Sequence, residues 1–320
     1  MRDAFIDELG TLAREDERVF LVVGDLGFSV IEDFAAEFPD RFLNAGVAEQ
    51  SMIGVASGLA AAGYRVFVYS IGNFPTMRCL EQIRNDVCYH QLAVTVVAVG
   101  AGFSYGSLGY THHAIEDIAV MRALPRMTVL SPADATEARA LTRYAAGLDG
   151  PAYLRLGKNG EPRLHPTALD ADAALLGQVL CEGDDVTVLA TGSIAGLAVE
   201  AAHLLREQSI SARVVSVPVI EPLASSVLEL ARGTAGIVTL EEHSVRGGLG
   251  SAVLESAARM WLTLPITVMG TDDNTIGRYV GSTAYMRARN GLTPQSVADA
   301  AASLAKANAH TSDSPRPATI

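Results

Sequence analysis

Residues 41–63 read RFLNAGVAEQSMIGVASGLAAAG, and the change of pattern within them decides the fold. A short extended stretch passes through Gly46 and becomes a helix. Met52, Ile53, Val55, Ala56 and Leu59 then form an apolar stripe at helical spacing, and Gly63 stands where such a helix ends. Arg65–Tyr69, directly afterwards, is a strand-length run of β-formers. Strand, helix, strand in this order is how a parallel sheet with crossover helices reads. The alternation extends outward, to Val19–Val23 on one side and to Leu92–Val99, Met127–Leu130 and Ala152–Leu156 on the other. Helical stretches lie between, among them SPADATEARALTRYAAG (131–147), whose Pro132 suits a first helical turn.

From Lys158 to Asp185 the pattern loosens into a polar, proline-containing stretch. It resumes with the strands VTVLATGS (186–193), ARVVSV (212–217), GIVTL (236–240) and ITVM (266–269), and a helix near Gln295–Lys306. The expected architecture is α/β, two doubly wound domains with mostly parallel sheets. They span 1–165 and 185–306, joined by a linker at 166–184, with 307–320 a disordered polar tail.

Hydrophobic residues make up 49% of the 320, enough for two full cores. The longest apolar runs fall short of the roughly 20 residues a spanning helix needs, and MRDAFIDELGTLAREDER lacks the apolar block of a signal peptide, so a cytoplasmic protein without a membrane segment is expected. A net charge of −12 argues against nucleic-acid and anionic-lipid partners. Cys79, Cys88 and Cys181 are an odd number without C-x-x-C spacing and read as core residues rather than a disulfide framework or metal site.

Taken alone, Glu49 in a first helical turn needs no role beyond complementing the helix dipole. Its surroundings, GVAEQ (46–50), resemble the pyrimidine-binding domain of the transketolase family, which includes transketolases, deoxyxylulose-phosphate synthases and 2-oxo-acid dehydrogenase β-subunits. The resemblance implies thiamine diphosphate as cofactor. It also implies that Glu49 shares a proton with the aminopyrimidine N1′, so that the cofactor's own amino group can take the thiazolium proton.

Further segments carry the same likeness. VVGDLGFS (22–29) is similar to the family's strand-end loop, which implies Asp25 near the thiazolium and Ser29 near a substrate phosphate. YSIGNFPTMRCLEQIRNDV (69–87) offers Phe74 as the ring against the aminopyrimidine. YGSLGYTHHAIEDIAVMRALP (105–125) places His112 as the substrate-facing histidine, able to hydrogen-bond a ketose oxygen or move a proton, with His113 its neighbour. Arg155 in AYLRLGKNG (152–160) matches an arginine that grips a sugar phosphate. Leu108 departs from the family, standing where an aspartate reads the substrate's C2 hydroxyl.

The family grips magnesium diphosphate through G-D-G and, about 30 residues later, an asparagine, because the cation needs hard oxygen ligands. GDL at Gly24 and GDD at Gly183 do not supply that pair. The resemblance therefore implies that a diphosphate-binding partner subunit holds most of the Mg²⁺ site, in an α2β2 heterotetramer acting on small sugars. VTLEEHSVRGGLGSAV (238–253) resembles the family's C-terminal domain, and Glu242 and His243, beside its glycine-rich turn, are read first as part of a capped turn, with approach to the partner's surface the lesser alternative.

The leading expectation is transfer of a two-carbon ketol unit from a ketose, phosphorylated in the leading version, to an aldehyde. A deoxyxylulose-phosphate-synthase-like enzyme or a 2-oxo-acid dehydrogenase β-subunit stays open beside it, as does a non-catalytic assembly subunit. GAGFSYG (100–106) raises a dinucleotide-binding oxidoreductase, but its glycine spacing does not run directly into a helix.

Overall fold

The structure, a computed structural model, describes residues 1–272 and 277–312. Twelve strands are present among them: β1 Val19–Val23, β2 Phe42–Asn44, β3 Arg65–Ile71, β4 Val94–Val99, β5 Thr128–Leu130, β6 Ala152–Leu156, β7 Gln178–Cys181, β8 Val186–Ala190, β9 Ala212–Ser216, β10 Val219–Glu221, β11 Ile237–Ser244 and β12 Ile266–Thr271. Every residue of β1, β4, β6 and β8 is buried. Parallel strands are covered on both faces, so their sequences are continuous apolar runs rather than alternations.

The first sheet has the order β10-β5-β6-β4-β3-β1-β2, parallel except for β10. On one face Phe5, Leu9 and Leu12 of the Arg2–Glu15 helix pack with Ala138 and Leu141 of the Ala135–Gly147 helix. On the other, Met52, Ile53 and Ala56 of the Glu49–Ala61 helix pack with Ile83, Val87 and Ile118. The second sheet has the order β12-β11-β8-β9-β7, parallel except for β7. It too carries an apolar layer on each face, one built from Ala198, Leu205 and Val297, the other from Leu228, Leu249 and Val253. The chain is therefore two doubly wound α/β units.

Strand order positions the site. β2 lies on one side of β1 and β3 on the other, so the winding reverses at β1 and opens a crevice beyond the carboxyl ends of the strands. Asp25 and Ser29 follow β1, Glu49 follows β2, Phe74 follows β3, and His112 lies on the loop after β4.

Two expectations about organisation differ from what is observed, and one strand, β10, was not anticipated. The stretch 166–184 is more than a linker: it holds a short helix, Ala171–Ala174, and β7. Leu169, Ala174 and Leu175 bury against the first sheet's helical layer, which fixes the connection. β10, from the second half of the sequence, returns to pair with β5 and covers what would otherwise be an open sheet edge. The last helix runs Pro294–Ser312, past the boundary expected for a tail at 307, while 313–320 lie outside the described residues.

Candidate functional site

Glu49 is the first residue of its helix and only 5% exposed. A carboxyl here faces the positive end of the helix dipole. Among the described residues its polar partner is Arg78, whose Nη1 lies 3.3 Å from Oε2. Its stem packs beside Gly24 at the end of β1, where a Cβ would lie 3.7 Å from Glu49 Cγ. Residues 47–51 and Arg78 line an open cleft of about 440 Å³ into which this end of the helix faces.

A line of rings leads away from the carboxyl. Arg78 covers one face of Phe74, with Cζ 3.8 Å from the ring centroid. The His112 ring meets Phe74 edge-on at 5.3 Å, and Tyr105 stands 6.4 Å from His112. Lys158 Nζ lies 5.0 Å from the Tyr105 centroid. His112 Nδ1 is 3.0 Å from the Thr111 hydroxyl. The structure thus brings Glu49, Phe74 and His112 together, and adds three residues that sequence reasoning missed: Arg78, Tyr105 and Lys158. Arg78 had a signal, standing four residues after Phe74, about one helical turn. Lys158 had one also, as a cation just beyond the carboxyl end of β6.

Asp25 and Ser29 sit on exposed turns after β1, both with positive φ, 58° and 64°. Asn44 ties Asp25 in place: its Oδ1 accepts the Asp25 N–H at 3.1 Å and its Nδ2 donates to Asp25 Oδ1 at 2.9 Å. The same Oδ1 accepts the Gly46 N–H at 2.9 Å, so one amide side chain couples the β1 turn to the approach to Glu49. The Ser29 N–H donates to Glu32 Oε1 at 2.7 Å. Leu108 is exposed on a short 3₁₀ turn of the His112 loop.

Two expected ligand-binding residues face elsewhere. His113 is buried and donates from Nε2 to the Gly106 carbonyl at 3.0 Å, so it holds its own loop rather than facing the cleft. Arg155 requires a correction. It is 2% exposed, its Nε donates to Asp117 Oδ2 at 2.7 Å, and its Nη2 donates to the Ala114 and Glu242 carbonyls at 2.7 and 3.0 Å. Burial pushes the Asp117 carboxyl up, but the guanidinium and the neighbouring His243 bring it below the usual range. A fork already committed to these groups cannot reach a sugar phosphate. Glu242 and His243 are likewise buried and turned toward the first domain, not toward a partner. Burial drives the His243 pKa down to about 4, and its neutral Nε2 accepts the Ala119 N–H at 3.3 Å.

The sequence matches two family descriptions, Transketolase, pyrimidine binding domain, over residues 1–161, and Transketolase, C-terminal domain, over residues 176–297. The chain belongs to the transketolase family. It is similar to an apulose-4-phosphate transketolase subunit of Phocaeicola vulgatus, 35% identical across 95% of this chain and 97% of that one. It is also similar to the 6-deoxy-6-sulfo-D-fructose transketolase subunit SqwH of Clostridium sp. strain MSTE9, 37% identical across 94% of this chain and 93% of that one. A solved structure described as a split gene transketolase, inactive beta4 tetramer, superposes with a TM-score of 0.86 at 38% identity, covering 95% of this chain and 98% of that one. This is a transketolase-type transferase subunit, and its two α/β units are the family's pyrimidine-binding and C-terminal domains. Among the described residues no helix is long and apolar enough to cross a membrane.

Proposed function

We propose that this chain is the aminopyrimidine-activating half of a thiamine-diphosphate-dependent transketolase. With a diphosphate-binding partner it moves a two-carbon ketol unit from a ketose, phosphorylated in the leading version, to an aldehyde. The observation that carries this reading is the Glu49 carboxyl, nearly buried at a helix start, lining a cleft and linked through Arg78 to the Phe74–His112 pair. A carboxyl with a single polar partner beside an aromatic ring fits a basic heteroaromatic nitrogen, so the residues present suit the cofactor's pyrimidine.

Thiamine diphosphate supplies, when bound, a carbon nucleophile that no side chain offers. The protein's own contribution follows from the side chains. Glu49 would share a proton between its carboxyl and the pyrimidine nitrogen, and Arg78, 3.3 Å away, is its ion-pair partner in the chain by itself. Phe74 orients the ring by stacking, and its apolar surface keeps water from that side. His112, fixed by Thr111, donates a hydrogen bond to a ketose oxygen or moves a proton at the aldehyde oxygen. By the family resemblance Asp25 would lie on the thiazolium side of the cofactor, and Ser29 and Lys158 would offer polar and cationic groups to a substrate phosphate.

Mg²⁺ and the diphosphate are assigned to the partner, because the acids nearest the cleft, Asp25 and Glu49, are engaged with Asn44 and Arg78. By resemblance to split transketolases, the proposed assembly is an α2β2 heterotetramer with cofactor sites at the interfaces. Val47, at 74% exposure, rims the cleft as an apolar side chain for a partner to cover. The proposed setting is the cytoplasm, where the unpaired Cys79, Cys88 and Cys181 stay reduced. Titration calorimetry with thiamine diphosphate and Mg²⁺ tests the reading. The expected result is weak or no binding to this chain alone and saturable binding to the two-chain assembly. Tight binding by this chain alone contradicts it.

A further inference from the structure

We propose that Glu242, from the second domain, is a positioning residue for ketose binding that holds the loop carrying His112. The inference rests on the reading that His112 faces the ketose.

The loop from Phe103 to His113 is pinched at its neck, where the N–H of Gly102 donates to Ala114 O at 2.9 Å and the N–H of Ala114 to Gly102 O at 3.0 Å. Beyond the neck the sequence FSYGSLGYTHH, rich in glycine and polar residues, has little apolar surface to fix itself. Its small core is Phe103 with Ile115 and, from the second domain, Met286. Turn hydrogen bonds such as Gly106 N–H to Phe103 O at 2.8 Å and His112 N–H to Gly109 O at 2.9 Å shape the loop locally, and with so small an apolar core its placement against the sheet depends on what grips its backbone from outside.

The second domain provides that grip through one carboxylate with two tasks. Glu242 Oε1 accepts the Phe103 N–H at 2.7 Å, while Oε2 pairs with Arg287 Nε at 2.8 Å, on the Thr283–Arg289 helix. Arg287 is anchored in turn by the Ser193 hydroxyl at 3.1 Å. The Phe103 carbonyl accepts from Thr283 Oγ1 at 3.0 Å, so both backbone groups of that residue end on the second domain. Two bare backbone positions make the approach feasible. A Cβ on Gly102, whose φ is +60°, would fall 2.5 Å from Glu242 Cγ, and one on Gly106 would fall 2.5 Å from Gly281 O.

From Phe103 the order passes to the site in short steps. Its ring meets His113 edge-on at 5.1 Å, and His113 holds Gly106 O at 3.0 Å. The His113 carbonyl accepts from Asn73 Nδ2 at 2.6 Å, next to Phe74, and His112 is the adjoining residue. Small errors in such a placement are costly, because a misplacement of about 1 Å can reduce turnover about 100-fold. A carboxylate is needed because it must accept in two directions at once, from an amide and from a guanidinium.

The test uses the assembled two-chain enzyme with Glu242→Ala, Glu242→Gln and Arg287→Met. Ketose KM and kcat, thiamine diphosphate affinity and Tm are measured on each. Glu242→Ala leaves the Phe103 N–H without its acceptor and Arg287 without its carboxylate, and its ketose KM should rise about 10-fold or more while cofactor affinity stays within about 2-fold of wild type. Glu242→Gln keeps one acceptor for Phe103 and should recover part of that loss. Where Glu242→Ala does not fold, Glu242→Gln and Arg287→Met carry the test with smaller rises in ketose KM. Folded variants with wild-type ketose KM, or an equal loss of cofactor affinity, overturn the proposal. His112→Ala separates the two levels: wild-type ketose kinetics for that variant refute the role of His112 itself, whatever the Glu242 variants do.

Discussion

An arginine sealed from water needs a fixed counter-charge, and Arg155 has Asp117 at 2.7 Å, itself completely buried and hydrogen-bonded by Tyr153. Removing one member strands the other in a low-dielectric interior, which typically costs about 3–5 kcal/mol. Arg155→Met should therefore lower unfolding stability by roughly that amount in urea denaturation, and a variant as stable as wild type would show the pair to be dispensable. The sequence could not reveal this partner. Asp117 lies 38 residues earlier and reads as an ordinary helix-start acid, whereas the interior strand AYLRL marks only that something must neutralise its arginine. The place of Glu49, by contrast, was legible, because a helix start after GVA is marked within its own stretch of sequence and does not depend on a distant contact.

At the scale of elements, the start of the Ala135–Gly147 helix is strapped to the connection between the domains. Asp134 Oδ1 accepts the N–H groups of Thr136 and Glu137 at 2.9 and 3.0 Å, and its Oδ2 takes those of Leu164 and His165 at 2.8 and 3.0 Å. Glu137, fully buried beside His165, has its pKa driven up to about 7 by burial. Native protein therefore binds this proton more tightly than unfolded chain does. The stabilising contribution is complete below the unfolded value near 4.5 and is lost as pH rises through about 7. His165, raised by the hydrogen bond to Asp134 against the effect of burial, acts in the same direction. Glu137→Gln keeps an acceptor for the Ala133 N–H but has no proton to lose. Relative to wild type it should gain stability between pH 5 and 7.5, by up to about 3 kcal/mol. Parallel stability–pH profiles from urea denaturation would refute this assignment. None of it was legible beforehand, since 162–165 fall in the loosened stretch after Lys158 until Asp134 is seen gathering the backbone of Leu164 and His165.

For the whole molecule, the two sheets were legible because strands buried on both faces become apolar runs, as in β1 and β4. β7 and β10 were not, being short edge strands of which one pairs across to the other domain's half of the sequence. The inward course of Glu242 was equally hidden, since Phe103 lies 139 residues away from it. The chain is thus more interlocked than two beads on a string, with the second domain reaching the loops of the first. Whether that platform activates a cofactor is read most directly from Glu49→Gln, assembled with its partner and assayed for ketol transfer. The amide preserves shape but cannot hand over a proton, so turnover should fall at least about 100-fold with assembly intact. Ketol transfer at the wild-type rate by that assembled variant would contradict the role of Glu49.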